Sequence, residues 1–328
     1  MNKHPSVFLV SSGRSGSTLL QSILNASQQI YIPQESDFIT RAYPFYYDHP
    51  VYTDDDYEQL ANFFCLTTVK NWGLTRNDIA ASLKKAKPQT FGEVIALISS
   101  NCHQSEGTQD LVWGIKRPVL IARLNRIISV YPDAKIVHVC RDGRDVFLSY
   151  QSVHKNSSVK FGPKGIVANV LYWVDSLRRI EAFNCDCIFE IKYEELISHP
   201  EQTLPALFDF LNLSYNPSFI EEFKNYEKNK EIVPKVFQKD THNKLSETLD
   251  ASNSQKYKRK MSKAQILCFE ILASPYLVKY GYPIEFNFST SPLFSPLRRS
   301  FYCLARHINN IRYSLRDQKT YANSRIKG

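Results

Sequence analysis

The stretch VFLVSSGRSGSTLLQSIL, residues 7–24, constrains the fold more than any other part of the chain. Residues 7–10 are a short apolar run rich in β-branched and aromatic types, the pattern of a buried strand. Ser11, Ser12, Gly13, Arg14, Ser15, Gly16, Ser17 and Thr18 follow, with side-chain bulk only at Arg14. From Leu19 the apolar residues recur at helical spacing, at Leu19, Leu20, Ile23 and Leu24. A strand, a glycine loop and a helix in immediate succession make an anion cradle. The first N–H groups of a helix have no internal partners, and its dipole adds partial positive charge there. The loop is not a Walker A sequence, being shorter and having no Lys after Gly16.

A second constellation is IVHVCRDGRDVFLSY, residues 136–150, again a strand, a short charged turn and a helix. Open parallel sheets bind ligands beyond the carboxyl ends of their strands. Arg141 sits at such an end and Ser149 lies in the helix that follows; a planar fork and a neutral hydroxyl suit a terminal phosphate. Read alone, RDGRD is more commonly a surface turn of Arg–Asp pairs. Further apolar runs at 111–115, 135–140 and 187–191 alternate with helical patterns at 76–87, 90–101, 119–130, 167–183, 201–211 and 264–279. That alternation predicts an α/β fold with a parallel, helix-covered sheet. Residues 28–57, aromatic and Pro-containing, read as irregular structure over a cleft, and the many Tyr and Phe of 31–64 read either as its aromatic lining or simply as core. Residues 155–164 read as a mobile loop, and 229–260 are polar and charge-rich with little periodicity.

GRSGST and RDGRDVFLS together resemble the two motifs by which sulfotransferases bind 3′-phosphoadenosine 5′-phosphosulfate (PAPS). IKYEELISHPEQTLPALFDFLNL, residues 191–213, is similar to the same family's strand–YE-L–helix segment. The resemblance implies a P-loop-like three-layer α/β fold, its central parallel sheet covered by helices on both faces. It implies Arg14, Ser15, Gly16, Ser17 and Thr18 around the 5′-phosphosulfate, Arg141 and Ser149 on the 3′-phosphate, and Tyr193 against the nucleotide. A late Ser followed by Lys or Arg closes over the nucleotide in the family; Ser246 with Lys256 or Lys258 are the matching residues, and a solvated basic run is the alternative.

RSGSTLL followed by YIPQES is similar to the tyrosylprotein sulfotransferase branch and its bacterial relatives. That likeness implies Glu35 as general base and, within GIKRP, Lys116 as the sulfuryl-binding cation, with Arg14 also meeting the charge on the leaving oxygen. Asp37, His103 and His154 are reserve bases. The implied reaction moves a sulfuryl group in line from PAPS to a hydroxyl of a glycan, lipid, small molecule or peptide Tyr. Tyrosylprotein enzymes are lumenal, membrane-anchored and disulfide-bonded, features this chain does not show, so the acceptor does not carry over. No metal is expected, because cations come from the protein; Asp54, Asp55 and Asp56 read as a solvated helix start. Two other readings stand beside this one. A divergent P-loop kinase would use ATP and needs a carboxylate where Arg141 follows KIVHVC. A non-catalytic module would bind anionic surfaces.

The net charge is +9 over 328 residues, and it is unevenly placed. Residues 298–328 hold eight Lys and Arg against the single acid Asp317, leaving little positive excess elsewhere, so nucleic-acid binding spread over the fold is not expected. The chain divides into a transferase domain at 1–285 and a basic extension at 286–328. Ser295 reads as an N-cap with Pro296 at the first helical position, after which Phe301, Leu304, Ile308, Ile311 and Leu315 share one face. Packing on its own domain is the default for such a helix; an anionic membrane surface or a second subunit are the alternatives. Removing residues 295–328 is expected to leave cofactor binding intact, and the oligomeric state is left open. No apolar run is long enough to span a bilayer and no signal peptide is apparent, so a cytoplasmic protein, with peripheral membrane contact as the variant, is expected. Seven scattered Cys form no disulfide framework, and Cys185 with Cys187 read as two buried thiols flanking a strand.

Overall fold

The computed structural model describes residues 6–49, 51–68, 72–107, 111–156, 161–183, 185–225, 249 and 251–325. Strands β1 (Val7–Ser11), β2 (Ile30–Tyr31), β3 (Val112–Lys116), β4 (Lys135–Cys140) and β5 (Ile188–Lys192) form one parallel sheet in the order β2–β3–β1–β4–β5. The first strand is therefore central, with Val7 opposite Gly114 on one side and Lys135 on the other. The chain leaves β1 toward one edge and later returns to build β4 on the other side, which creates a switch point between β1 and β4.

Period-two alternation fills both faces of this sheet. Phe8, Val10 and Tyr31 face a core shared with α2 (Phe38–Tyr46), α3 (Asp54–Thr67), α4 (Arg76–Ala86), α5 (Phe91–Glu106) and α6 (Leu124–Val130). Val7, Leu9, Ile30, Val137 and Val139 face the opposite way, onto α1 (Ser17–Ala26), α9 (Tyr193–Ser198), α10 (Pro200–Leu211) and α11 (Phe219–Asn225). A third cluster gathers Cys140 with α7 (Gly143–Asn156), α8 (Ile166–Phe183), Tyr257 of α12 (Tyr257–Lys260) and α13 (Lys263–Lys279). The outcome is the expected helix–sheet–helix sandwich of P-loop-like type.

Several local expectations change. Residues 28–57 are not irregular: they hold β2, α2 and the start of α3. Of the two readings of the aromatic residues, core holds for Tyr31, Phe38, Tyr46, Tyr52 and Tyr57. Pro44 lies inside α2 and cannot donate to the carbonyl of Thr40, which instead accepts from the Arg126 guanidinium. That rescue comes from a distant helix and leaves no local trace. Asp54–Asp56 do start a helix, with Thr53 and Asp56 forming a reciprocal cap. Residues 118–123 form a 3₁₀ helix before α6. Of the stretch 155–164, residues 157–160 lie outside the described residues, as do 226–248 and 250 in the polar stretch.

Cys185 and Cys187 are not buried thiols. They occupy the turn before β5, Cys185 is exposed, and the two are joined by a disulfide with Cα atoms 5.1 Å apart. Helix α14 (Ser295–Ser324) lies across α2, α3, α8 and α13. Ser295 is its first residue instead of its cap. Its only acid, Asp317, is 3% exposed and takes Arg123 at 2.6 Å, Arg126 at 3.1 Å and Arg41 at 3.3 Å. Among the described residues no helix is long and apolar enough to cross a membrane.

Candidate functional site

Four of the strands end on one side of the sheet, and each delivers part of one site. After β1 the chain turns through Gly13 at φ 73°, Arg14 at φ 55° and Gly16 at φ 92° before α1 begins. Those left-handed residues bend the loop tightly; an Arg there is strained and is held by its surroundings. A Cβ on Gly13 would lie 2.2 Å from the Tyr150 hydroxyl, and one on Gly16 would lie 2.3 Å from the Tyr193 ring. Only glycine fits either position. Ser12 and Ser15 hydroxyls bond each other at 2.9 Å, Ser15 donates to the Gly13 carbonyl at 3.2 Å, and Ser11 accepts from the Gly13 N–H at 3.1 Å. Ser17 and Thr18 open α1, whose N-terminus has neither a side-chain cap nor an acid in its first turn. The helix dipole there is available to an anion.

Arg141 follows β4 and Tyr193 follows β5. The Arg141 guanidinium lies 4.2 Å above the Tyr193 ring. It donates to the carbonyl of Arg14 at 3.3 Å and to that of Asn253 at 2.7 Å. Its Nε is buried and has no hydrogen-bond partner among the described residues. Ser149 does not reach for Arg141: its hydroxyl accepts from Arg14 Nε at 3.0 Å, tying the two motifs together. Lys256 donates to Asn253, the residue that Arg141 also contacts, so it sits beside the same grip. Ser246 lies outside the described residues. The second arginine of the turn, Arg144, is fully buried on Asp142 and Glu270 and is a core residue. Asp142, the first carboxylate after β4, is thereby committed to Arg144.

Lys116 ends β3. It is 4% exposed, not a surface cation, and its Nζ meets Glu35 Oε1 at 2.6 Å. Arg117 takes the other oxygen of Glu35 at 2.8 Å. Burial works to raise the Glu35 carboxyl, but Lys116 and Arg117 outweigh it and hold the group at about 2. Arg117 also lies 3.8 Å from Asp37, which is 1% exposed and takes Arg316 of α14 at 3.3 Å and Arg41 at 3.7 Å. Asp37 thus faces three guanidinium groups. His154 bonds the Pro163 carbonyl at 3.1 Å, and His103 lies in α5 among residues whose side chains are not described. Burial lowers the Arg14 guanidinium from its ordinary value and lifts the Tyr150 and Tyr172 phenols above theirs. Both phenols stand against the Gly13 turn.

Sequence reading missed Arg117, Tyr150 and Tyr172. The signal for Arg117 was adjacency alone, Lys-Arg-Pro after a strand; for the two tyrosines only the fold supplies it.

Residues 5–217 match the model of the sulfotransferase family. Among curated proteins, protein-tyrosine sulfotransferase 1 of Danio rerio is 29% identical over 115 residues, 32% of this chain and 30% of that protein. The omega-hydroxy-beta-dihydromenaquinone-9 sulfotransferase Stf3 of Mycobacterium bovis is 27% identical over 122 residues, 34% of this chain and 31% of that protein. The chain thus spans under a third of the length of these curated relatives. The sulfotransferase domain from the curacin biosynthetic pathway shares the fold, with a TM-score of 0.59 at 18% identity over 86% of this chain and 99% of that one. With the motif loops placed at adjacent strand ends and the family match covering well over half its length, the chain belongs to the sulfotransferase family.

Proposed function

We propose that this chain transfers a sulfuryl group from PAPS to the hydroxyl of an acceptor. The observation that supports this most is the junction of three strand ends: the Gly16 turn rests on Tyr193, and Arg141 covers the same ring. In this reading Arg14, Ser15, Gly16, Ser17 and Thr18 hold the 5′-phosphosulfate, and Arg141, Ser149 and Lys256 serve the 3′-phosphate. The buried, unpartnered Nε of Arg141 and the uncapped start of α1 fit two anionic groups on one molecule. PAPS supplies the activated sulfuryl group, and its residues-side counterpart is charge placement without a covalent intermediate.

Glu35 takes the proton of the acceptor hydroxyl. The acceptor oxygen then forms the new O–S bond as the S–O bond to the 5′-phosphate breaks, leaving 3′-phosphoadenosine 5′-phosphate (PAP). Arg14 and Lys116 meet the negative charge gathering on the leaving oxygen. While Glu35 is paired with Lys116 it is a poor base at neutral pH. Turning the Lys116 ammonium toward the sulfuryl group removes one of the two cationic restraints and leaves Arg117 on the other oxygen, so Glu35 becomes a stronger base where the donor is in place. Residues 1–285 constitute the transferase domain in this reading, with 286–328 its C-terminal extension.

The test uses labelled PAPS and acceptor candidates drawn from phenols, sugars and lipid alcohols. The protein should release PAP in step with a sulfated product, and Glu35→Gln should lower the rate by about 10²–10⁴-fold while leaving PAP affinity nearly unchanged. A Glu35→Gln protein that turns over like wild type assigns the base elsewhere.

A further inference from the structure

Helix α14 is two-faced. Its inner side carries Ala305, Asp317, Thr320 and Ser324, all buried against the domain. Its outer side carries a continuous apolar stripe. Leu297, Leu304 and Ile311 recur every seven residues and are 51%, 55% and 46% exposed; Ile308 and Leu315 fill the alternate row at 39% and 60%. Leu293, just before the helix, is 87% exposed and extends the line. At ~1.5 Å per residue the stripe is nearly 30 Å long. Scattered exposed leucines need no explanation, but a heptad row of them along one helix does.

The charges beside the stripe say what covers it. Arg312 and, one turn past the stripe, Lys319 lie along one edge and His307 along the other, and all three are exposed. The only acid on the helix, Asp317, faces inward and is consumed by three arginines. Pairing two copies through this stripe would bring like charges together with no acid to offset them, the reverse of how paired helices choose partners. An apolar face with an all-basic margin complements a lipid surface bearing anionic headgroups.

We propose that the outer face of α14 lies on an anionic membrane, with Leu297, Leu304, Ile308, Ile311 and Leu315 entering the headgroup boundary and Arg312 and Lys319 meeting phosphates. This proposal does not depend on the sulfuryl-transfer reading, and PAP binding measured on the same preparations keeps the two separable. Deleting the helix is not a clean test, because its inner face neutralises Arg41, Arg123 and Arg126. Surface variants of the full chain are used instead: Leu304→Ser with Ile311→Ser and Leu315→Ser, and separately Arg312→Glu with Lys319→Glu. Unchanged thermal unfolding shows that each remains folded.

Wild type should sediment with vesicles of phosphatidylcholine and phosphatidylglycerol, and be released by salt. Each variant should bind about tenfold more weakly or worse. Failure of wild type to bind, equal binding to pure phosphatidylcholine, or unchanged binding by both variants overturns the proposal. So does a concentration-dependent dimer that the apolar variant dissolves, which would assign the stripe to a second copy.

Discussion

Glu35 shows how two neighbouring cations set the behaviour of one carboxylate. Its folded pKa of about 2 lies below the ordinary ~4.3 of a free Glu. The charged form is the one favoured by folding, so the pair stabilises fully above about pH 4.3 and is lost as pH falls toward 2. Glu35 itself should therefore impose no acid limb on kcat/KM between about pH 5 and 8. Arg117 supplies part of the restraint, at 2.8 Å from Glu35. Replacing it by Gln removes one cation and leaves burial, which acts upward, less opposed. An Arg117→Gln enzyme should show a new acid limb, its midpoint shifted up by about 1–2 pH units from that of the paired carboxyl. An unaltered pH–rate profile would show that Arg117 does not govern Glu35. Sequence alone placed Glu35 and Lys116 as candidates separately. Their contact joins positions 81 apart, and nothing local to either announces it.

At the scale of elements, the one acid of α14 gathers three arginines of the domain beneath it. Asp317 faces Arg41, Arg123 and Arg126 from α2 and the 118–130 segment, and the first two of these are themselves 4% exposed. Asp317→Asn keeps the shape and leaves the buried Arg123 without its counter-charge, while Arg41 keeps only Asp37 at 3.7 Å, at a cost of ~3–5 kcal/mol. By calorimetry the Tm should fall by roughly 6–10 °C; a change within about 1 °C would mean that the arginines find other acceptors. The strands and most helices were legible because periodicity is local: 135–140 reads as a strand and Thr90 with Glu93 as a capping box, and both form. The second helix was not legible, since Pro44 signals a break and its repair by Arg126 comes from across the fold. The same holds for the RDGRD turn. Arg141 and Arg144 look equivalent as letters, yet one faces the site and the other is sealed under Tyr257 at 3.7 Å. For α14, amphipathicity gave the two faces but could not say which one the domain would take.

For the whole molecule, the site is assembled from strand ends that are distant in sequence: the Gly16 turn after β1, Lys116 at the end of β3, Arg141 after β4 and Tyr193 after β5. A ligand with anionic groups at both ends would tie β1 to β4 and draw in Asn253 and Lys256, which stand beside Arg141. Such a ligand binds only the folded chain, so saturation at a hundred times its Kd should add ~2.7 kcal/mol to stability. PAP should thus raise the Tm by about 5 °C or more, whereas ATP, which lacks a 3′-phosphate, should raise it far less. Arg141→Ala should abolish the difference between the two ligands, because the residue lost is the one assigned to that phosphate. Gly16→Ala should remove both responses, since a Cβ there meets the Tyr193 ring at 2.3 Å and φ is 92°. A shift with ATP alone would place a kinase-like ligand in this cradle and displace the PAPS assignment, while leaving the fold and the family untouched.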